Sequence, residues 1–238
     1  MRFLIRLESL DDIWIPINYQ HALSSMIYHF IRNSDSDLSS KLHHSKDFKF
    51  FNFSRMESEN KSIKQKTILF PKNDIAFFNI SSPDSDILRS TVEGMFSEKE
   101  VELLGKKFRV LSPIYLDPPD FTHTARFRTL SPIYIDTIRD GRRWDLFPTD
   151  PEWKKRIEEN SRKKYAHYFG KDYTGNLNIL DIRKMSTKRI NVGGQSWRAA
   201  NAEFTLKAEP DMLRFLWDTG IGTKNSQGFG CLHYLGER

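Results

Sequence analysis

The residues whose spacing most clearly suggests chemistry are four glycines near the end of the printed sequence. They are Gly220, Gly222, Gly228 and Gly230, spaced as Gly-apolar-Gly, five residues, Gly-apolar-Gly. Glycine accepts backbone conformations with positive φ, and runs of exposed backbone N–H groups in such loops bind phosphate oxygens. We therefore predict a phosphate-binding loop that contains Lys224 and is anchored in the core by Ile221 and Phe229.

Two familiar glycine motifs do not fit this segment. A dinucleotide fingerprint needs Gly-x-Gly-x-x-Gly directly after a strand and at the start of a helix, whereas this loop follows a predicted helix and its third glycine is misplaced. A P-loop needs Gly-Lys-Ser/Thr, which is absent here. The remaining alternative is a tight helix-to-strand turn, which a single glycine pair would favour but the doubled pattern does not.

Positive charge is concentrated in one part of the chain. The sequence holds 37 Lys and Arg against 31 Asp and Glu, which gives a formal charge of +6 and a pI near 9.3. Residues 138–198 contain 15 of the basic residues against 8 acidic ones, so the remainder is close to neutral. This distribution excludes an acidic solvating protein and favours a polyanionic partner. The runs 154–156 and 162–164 fit a solvated helix face and a phosphate-binding flank about equally well.

The seven histidines favour proton transfer over metal binding. They are His21, His29, His43, His44, His123, His167 and His233. None belongs to a His-x3-His or His-Glu-x-x-His pattern, and carboxylates do not cluster with them, which disfavours a metal hydrolase. Histidine titrates near neutral pH and therefore suits general acid–base catalysis. We predict no metal ion and no other cofactor.

Length and composition indicate a globular protein of one large or two small domains. The chain has 238 residues, of which 38% are hydrophobic and 13% aromatic, too many for a disordered protein. The single cysteine, Cys231, excludes an intramolecular disulfide and a multi-cysteine zinc site, and it favours a reducing, cytoplasmic compartment. No apolar run approaches the ~18 residues that span a membrane. The short apolar segment 1–7 predicts a strand rather than a signal peptide.

The elements that must position these residues follow a similar outline in both halves of the chain. The first half predicts strands over 3–8, 48–53, 67–70, 75–80 and 107–114 and helices over 21–31, 37–43 and 84–96, with 67–80 forming a hairpin. The second half predicts strands over 124–135, 176–188, 195–207 and 228–234 and helices over 152–169 and 210–218. We predict an α+β protein of two tandem ferredoxin-like (RRM-like) domains with antiparallel sheets, residues 1–118 and 119–238, joined by the linker 117–120.

Taken together, these motifs resemble those of the CRISPR repeat-processing endoribonucleases of the RAMP superfamily. The matching parts are the complete glycine pattern at 220–230, the opening residues 1–7, the strand residues 130–133 and the helix 211–220. The resemblance covers nearly the whole chain. It implies tandem ferredoxin-like domains and metal-independent RNA cleavage in which the 2′-OH is the nucleophile, leaving 2′,3′-cyclic phosphate and 5′-OH ends.

The resemblance also implies a catalytic set of Tyr28, His43 and Lys49. Tyr28 lies on the first predicted helix, His43 ends the next helix, and Lys49 opens the strand after it. The implied roles are general acid/base for His43, phosphate stabilisation for Lys49, and orientation or proton donation by the hydroxyl of Tyr28. His44 is an alternative acid/base. Without the resemblance, the same residues also fit a helix C-cap, a half-buried tyrosine and a solvated strand-edge lysine.

A basic hairpin in the second half is a further candidate for RNA binding. It comprises Lys184, Lys188 and Arg189, a turn around Val192-Gly193-Gly194, and then Trp197 and Arg198. Basic side chains beside an aromatic ring suit the phosphates of an RNA stem and a stacked base, and the resemblance also points to the base of a repeat stem. We therefore predict RNA contacts by Lys184, Lys188, Arg189 and Arg198, together with Lys224 and the four glycines of the loop. A merely solubilising hairpin is the alternative.

Three functions are compatible with these patterns. The first is a metal-independent endoribonuclease that cleaves CRISPR repeat RNA (pre-crRNA). The second is a non-catalytic RAMP-type RNA-binding subunit of a CRISPR ribonucleoprotein, which needs the loop and the hairpin but not Tyr28, His43 and Lys49. The third is a general RRM-like module, whose aromatic motif residues 228–230 match only faintly. The expected partners are repeat RNA, a CRISPR effector complex and a second copy of the chain, without a membrane.

Overall fold

The structure is a computed structural model that describes residues 1–192 and 194–237. The chain divides into two compact units, the first formed by Met1–Lys49 with Arg55–Asp117 and the second by Phe50–Ser54 with the chain from Pro118 onward. The first unit thus ends next to the predicted boundary, and one short internal segment belongs to the second unit. None of the described helices is long and apolar enough to cross a lipid bilayer.

The elements are runs of strands interrupted by helices, and the strands pair in antiparallel fashion. Up to residue 117 the elements are β1 (Arg2–Ser9), β2 (Ile13–Pro16), α1 (Gln20–Ser34), α2 (Ser36–His44), β3 (Asn52–Phe53), β4 (Ser62–Lys64), β5 (Thr67–Phe70), β6 (Ile75–Ser81), α3 (Ser85–Phe96), β7 (Glu100–Leu103) and β8 (Lys106–Leu116). They continue with β9 (Thr124–Thr129), β10 (Asp136–Arg139), β11 (Arg142–Asp145), α4 (Glu152–Phe169), β12 (Leu177–Val192), β13 (Gln195–Ala208), α5 (Pro210–Thr219) and β14 (Leu232–Tyr234).

The first unit is built around adjacent antiparallel strands in the order β6-β1-β8-β7. Ile5 and Leu7 alternate along β1 and are fully buried, as expected for the inward face of a central strand. Helices α1 and α3 pack against each other, and Gly94 makes their close approach possible, because a Cβ there would lie 1.8 Å from the carbonyl oxygen of Phe30. Helix α1 also contacts α2. This packing fixes the position of the last turn of α2.

The second unit contains a four-stranded antiparallel sheet in the order β12-β13-β9-β14. Its core brings together Phe127 of β9 and Phe204 of β13, whose rings are 6.2 Å apart. Helix α4 contributes Trp153 and Ile157 to this core, and α5 contributes Leu216. Helix α4 spans the predicted residues 152–169, because its apolar residues recur at helical spacing and Gly170 ends it in a left-handed conformation.

The hairpin predicted over residues 67–80 is wrong, although both of its strands exist. Strand β5 pairs with β2 and β4 in a separate sheet, whereas β6 pairs with β1. The connection between them is held by the end of β1, since the Ser9 carbonyl accepts the N–H of Asn73 and the Ser9 N–H donates to the Asp74 carbonyl. The connection also closes a turn of its own, because the N–H of Asp74 donates to the Pro71 carbonyl at 3.1 Å, but the two strands that it joins pair with different partners.

The strand predicted over residues 48–53 is reduced to β3. Phe50 has a φ of +48°, which breaks the extended conformation that the alternating phenylalanines suggested. Lys49 therefore lies in an irregular segment and does not open a strand, contrary to the prediction. Strands β9 and β14 are also shorter than predicted, and the β10–β11 hairpin was not predicted at all.

Candidate functional site

Tyr28, His43 and Lys49 lie together in the first unit, and because they are the predicted candidates for catalysis we call them the catalytic cluster. The ring centroids of Tyr28 and His43 are 6.1 Å apart and the ring planes are nearly perpendicular, at 88°. The Nζ of Lys49 lies 5.6 Å from the ring centroid of Tyr28 and donates to the carbonyl oxygen of His43 at 3.5 Å. The residues of the predicted set are therefore close in space as well as in sequence.

Helices α1 and α2 hold this cluster in place. The Asp35 carboxylate caps α2 by accepting the N–H of Leu38 at 2.8 Å, and the hydroxyl of Ser39 donates to the Tyr28 carbonyl on α1 at 3.4 Å. Leu42 is buried, so the next residue, His43, is exposed in the last turn of the helix. The segment after α2 then brings the half-buried Lys49 back to the helix end.

The surroundings of the two adjacent histidines differ. The Nδ1 of His44 lies 2.8 Å from the carbonyl oxygen of Ser40 one turn earlier in the same helix, so this nitrogen is engaged in a local hydrogen bond. The ring of His43 instead lies edge-on to Tyr28, and the backbone carbonyl of His43 accepts a hydrogen bond from the Lys49 ammonium group. This arrangement favours His43 over His44 as the acid/base.

The chemical groups of the catalytic cluster suit proton transfer at a phosphodiester. Imidazole can carry protons, an ammonium group can neutralise developing phosphate charge, and a phenol can orient or donate. Partial burial lowers the pKa of Lys49 below that of an exposed lysine. Among residues 1–192 and 194–237, no group of three or more His, Cys, Asp and Glu side chains is arranged to hold a metal ion.

The glycine-rich loop adopts the left-handed backbone that its composition predicts. Gly220, Gly222, Gly228 and Gly230 have φ values of 79°, 74°, 85° and 74°. A Cβ on Gly230 would lie 1.9 Å from the carbonyl oxygen of Ile221, so only glycine fits there. Ile221 and Phe229 are fully buried, which confirms their predicted role as anchors.

The four glycines are buried and shape the loop from within. The N–H groups of Gly220, Gly228 and Gly230 donate to the carbonyl oxygens of Leu216, Asn225 and Pro132. These three N–H groups are therefore already used, and the more exposed part of the loop is residues 223–227. Contact between the glycines and RNA stays a prediction, and the geometry favours an indirect role in which the glycines present Lys224.

A buried lysine braces this loop, although the basic run 162–164 to which it belongs was predicted to be a solvated helix face or a phosphate-binding flank. Lys164 of α4 is 2% exposed, and its Nζ donates to the Gly220 carbonyl at 2.5 Å and to the Asn225 Oδ1 at 3.1 Å. The Nδ2 of Asn225 in turn donates to the carbonyl oxygens of Ile221 and Phe229, at 3.1 and 3.0 Å. Burial lowers the pKa of Lys164 to about 7.

Trp197 is not the exposed stacking residue that the sequence suggested. It is 5% exposed and packs against Tyr134, with ring centroids 5.0 Å apart. The Nζ of Lys224 lies 4.1 Å from the Trp197 ring centroid, and the guanidinium carbon of Arg143 lies 4.1 Å from it. Burial lowers the pKa of Lys224. Trp197 therefore supports two cations and is not available to a base.

The predicted basic hairpin is formed by β12 and β13, and Gly193 at its turn lies outside the described residues. Lys184, Lys188, Arg189 and Arg198 are all exposed. Arg189 pairs directly with Arg198 across the strands, so the two side chains share one face. Two like charges directly opposite each other are unfavourable unless an anion offsets them, which supports the prediction of a phosphate contact. Lys184 sits at a bulge with a φ of +44°, and its Nζ lies 3.3 Å from Glu203.

The antiparallel α+β units, the glycine-rich loop and the basic hairpin are the features expected of a protein of the RAMP superfamily, and comparison with known proteins supports this class. Residues 14–112 match the family model described as CRISPR-associated protein Cas6, N-terminal. Residues 116–234 match the one described as CRISPR associated protein Cas6, C-terminal. The chain therefore belongs to the Cas6 family.

Similar proteins match over almost their whole lengths. The Cas6 1 endoribonuclease of Methanocaldococcus jannaschii is 27% identical over 98% of this chain and 92% of its own. The Cas6 endoribonuclease of Pyrococcus furiosus is 28% identical over 100% of this chain and 91% of its own. A solved structure of a RAMP protein that binds different RNA substrates is 25% identical, with a TM-score of 0.90 over 99% of this chain and 100% of that one. This likeness confirms the predicted tandem ferredoxin-like fold.

Proposed function

We propose that this Cas6-family endoribonuclease cleaves CRISPR repeat RNA at the 3′ base of its stem without using a metal ion. The observation that carries the proposal is the catalytic cluster, in which the Tyr28 ring centroid lies 6.1 Å from that of His43 and 5.6 Å from the Nζ of Lys49. The names of the two matched endoribonucleases support the same reaction class.

The RNA supplies its own nucleophile in the proposed reaction. The 2′-oxygen forms a bond to phosphorus while the bond from phosphorus to the 5′-oxygen breaks, so the products are a 2′,3′-cyclic phosphate and a 5′-hydroxyl. The proton released by the 2′-OH passes to a base, and a proton must reach the leaving 5′-oxygen. His43 carries out the acid/base transfer, with Tyr28 as the orienting or donating hydroxyl. Lys49 offsets the charge of the pentavalent phosphate.

The second unit supplies RNA binding in this proposal. Lys224 on the glycine-rich loop and the four basic residues of the β12–β13 hairpin contact phosphates of the repeat stem. The Arg189–Arg198 pair supports this assignment, because a phosphate between the two side chains would offset their mutual repulsion. Transfer of the bound RNA to a CRISPR effector complex and pairing with a second copy of the chain rest on the family resemblance alone.

The test is cleavage of repeat RNA in EDTA by the wild type, by His43→Ala and by the matched control His44→Ala. We expect His43→Ala to bind RNA but to cut at least about 100-fold more slowly, since general acid–base catalysis contributes that much. His44→Ala should cut at nearly the wild-type rate. Full cleavage by His43→Ala would remove the proposed acid/base, and an absolute need for Mg²⁺ would remove the mechanism. Tight binding without cleavage by the wild type would indicate a non-catalytic RNA-binding subunit instead.

A further inference from the structure

We propose that the β10–β11 hairpin is an additional RNA contact, in which Trp144 stacks on an unpaired base and Arg139 and Arg142 contact the adjacent backbone. This inference rests on the proposed RNA-binding function and adds a binding element to it. The hairpin comprises residues 136–145, and its turn is formed by Asp140 and Gly141, with φ values of +51° and +71°. Two consecutive residues with positive φ are the signature of a tight hairpin turn, so the element is well defined.

The strand register gives the two faces of this hairpin different compositions. Thr137 pairs with Trp144, and Arg139 pairs with Arg142. Directly paired residues share a face and neighbours along a strand alternate, so Trp144 and the two arginines lie on the same side. We call this side the stacking face. The opposite side carries Arg143.

Contacts of the opposite side hold the hairpin against the rest of the second unit. The guanidinium carbon of Arg143 lies 4.1 Å from the ring centroid of Trp197, the ring that Lys224 of the glycine-rich loop also contacts. The Asp145 carboxylate accepts the Tyr134 hydroxyl at 3.0 Å and the backbone N–H of Arg198 at 2.9 Å. The hairpin is therefore continuous with the surface proposed to bind RNA.

The stacking face has the chemistry that recognises a single-stranded nucleotide. The Trp144 side chain is 50% exposed, and the guanidinium carbon of Arg139 lies 5.3 Å from its ring centroid. An exposed indole offers a flat surface to any base, and flanking guanidinium groups attract the phosphates on either side.

The hairpin holds three arginines and three aspartates, but Asp136 and Asp145 pair with each other on the side that carries Arg143. The paired residues of the stacking face therefore include two arginines and no acidic residue, which favours a polyanion over an apolar protein surface. Arg139 also forms an ion pair with Glu152 of α4 at 3.1 Å, which a phosphate would have to share or replace.

The experiment compares Trp144→Ala and Trp144→Phe with Trp14→Ala, which removes a tryptophan on β2 that is 43% exposed. Binding of a labelled single-stranded oligoadenylate and of labelled repeat RNA is measured by fluorescence anisotropy, and circular dichroism checks folding. We expect Trp144→Ala to weaken oligoadenylate binding by about fivefold or more, the usual effect of losing one stacked base. Trp144→Phe should retain most of the affinity because it keeps an aromatic face, and Trp14→Ala should leave affinity unchanged.

Wild-type affinity of folded Trp144→Ala for both RNAs would overturn the inference while leaving the proposed function intact. An equal loss in Trp14→Ala would also overturn it, because the effect would not depend on the stacking face. A protein partner that is lost with Trp144→Ala, at unchanged RNA affinity, would assign the face to protein binding and contradict the inference. If the wild type neither binds nor cuts repeat RNA, the proposed function itself fails.

Discussion

The charge of Lys49 should make cleavage depend on pH, because partial burial lowers the pKa of its ammonium group. The positive charge is lost as pH rises through this lowered pKa, so cleavage should decline at a lower pH than an exposed lysine would allow. Lys49→Arg keeps its charge throughout, since the guanidinium pKa is above about 12. We therefore expect the alkaline decline of Lys49→Arg to move to higher pH, measured as single-turnover cleavage between about pH 7 and pH 10.

Lys46→Arg is the matched control for this profile, because Lys46 is exposed in the same segment. A protein-free reaction corrects for alkaline hydrolysis of the RNA. If the cleavage rates of Lys49→Arg and the wild type fall over the same alkaline pH range, the charge of Lys49 does not determine that fall.

At the residue scale, the sequence singled out three side chains that lie close together in the structure but missed the roles of two buried ones. The order of Tyr28, His43 and Lys49 followed from the family resemblance, and the fold brings all three together. Lys164 lies in a basic run, yet it is spaced 7 residues from Ile157 and 11 from Trp153, on the buried face of α4. This helical spacing was the feature of the sequence that could have revealed the burial of Lys164. The burial of Trp197 depends on its contact with Tyr134, 63 positions earlier in the chain, which local pattern cannot reveal.

At the element scale, the glycine-rich loop should tolerate no side chain at Gly230. Gly230→Ala would combine a positive φ with a Cβ that meets the Ile221 carbonyl, whereas Gly105→Ala has a similar φ of +74° and open space around it. We expect Gly105→Ala to lower the free energy of unfolding by about 1–2 kcal/mol and Gly230→Ala by about 3 kcal/mol or more. Urea unfolding measures both, and equal losses would show that the close approach does not matter.

Lys164, which links α4 to the glycine-rich loop, should make the free energy of unfolding depend on pH. With a folded pKa of about 7 for Lys164, the unfolded chain binds more protons between about pH 7 and pH 10.5. The free energy of unfolding should therefore rise with pH across this window, with a limiting slope of about 1.4 kcal/mol per pH unit. Lys164→Met should remove this rise, measured by urea unfolding at several pH values.

Lys163→Met is the matched control for this brace, because Lys163 is exposed on the same helix. It should retain the pH-dependent rise of the wild type. A Lys164→Met curve that runs parallel to the wild-type curve would mean that Lys164 does not titrate in this window.

The sequence predicted which segments form helices and strands better than it predicted which strands pair with each other. Helix α4 matched its prediction because an 18-residue amphipathic pattern with a glycine stop is a local signal. The failed hairpin over 67–80 had suitable turn residues, but strand pairing is settled by non-local contacts, here the hydrogen bonds of Ser9. The β10–β11 hairpin was missed because its ten residues are mostly charged and show no apolar alternation.

At the scale of the whole molecule, the uneven charge predicts strongly salt-dependent RNA binding. Each phosphate contact contributes about 0.7–0.9 to the slope of log affinity against log salt. The double variant Lys188→Gln/Arg189→Gln should therefore reduce that slope by about 1.5, measured by anisotropy over a salt series. Lys155→Gln/Lys163→Gln removes two exposed charges from α4 and should change the slope less. A larger reduction of the slope by Lys155→Gln/Lys163→Gln than by Lys188→Gln/Arg189→Gln would indicate that the phosphate contacts lie on α4 and not on the hairpin.

The most direct test of the account uses repeat RNA with a single 2′-deoxyribose at the scissile nucleotide, in EDTA, beside the same RNA with the deoxyribose one nucleotide away. We expect the wild type to bind both RNAs with affinities within about threefold, because phosphate contacts dominate binding. Only the control RNA should be cut, and its product should carry a 2′,3′-cyclic phosphate. Cleavage of the RNA that lacks the scissile 2′-OH would contradict attack by that hydroxyl.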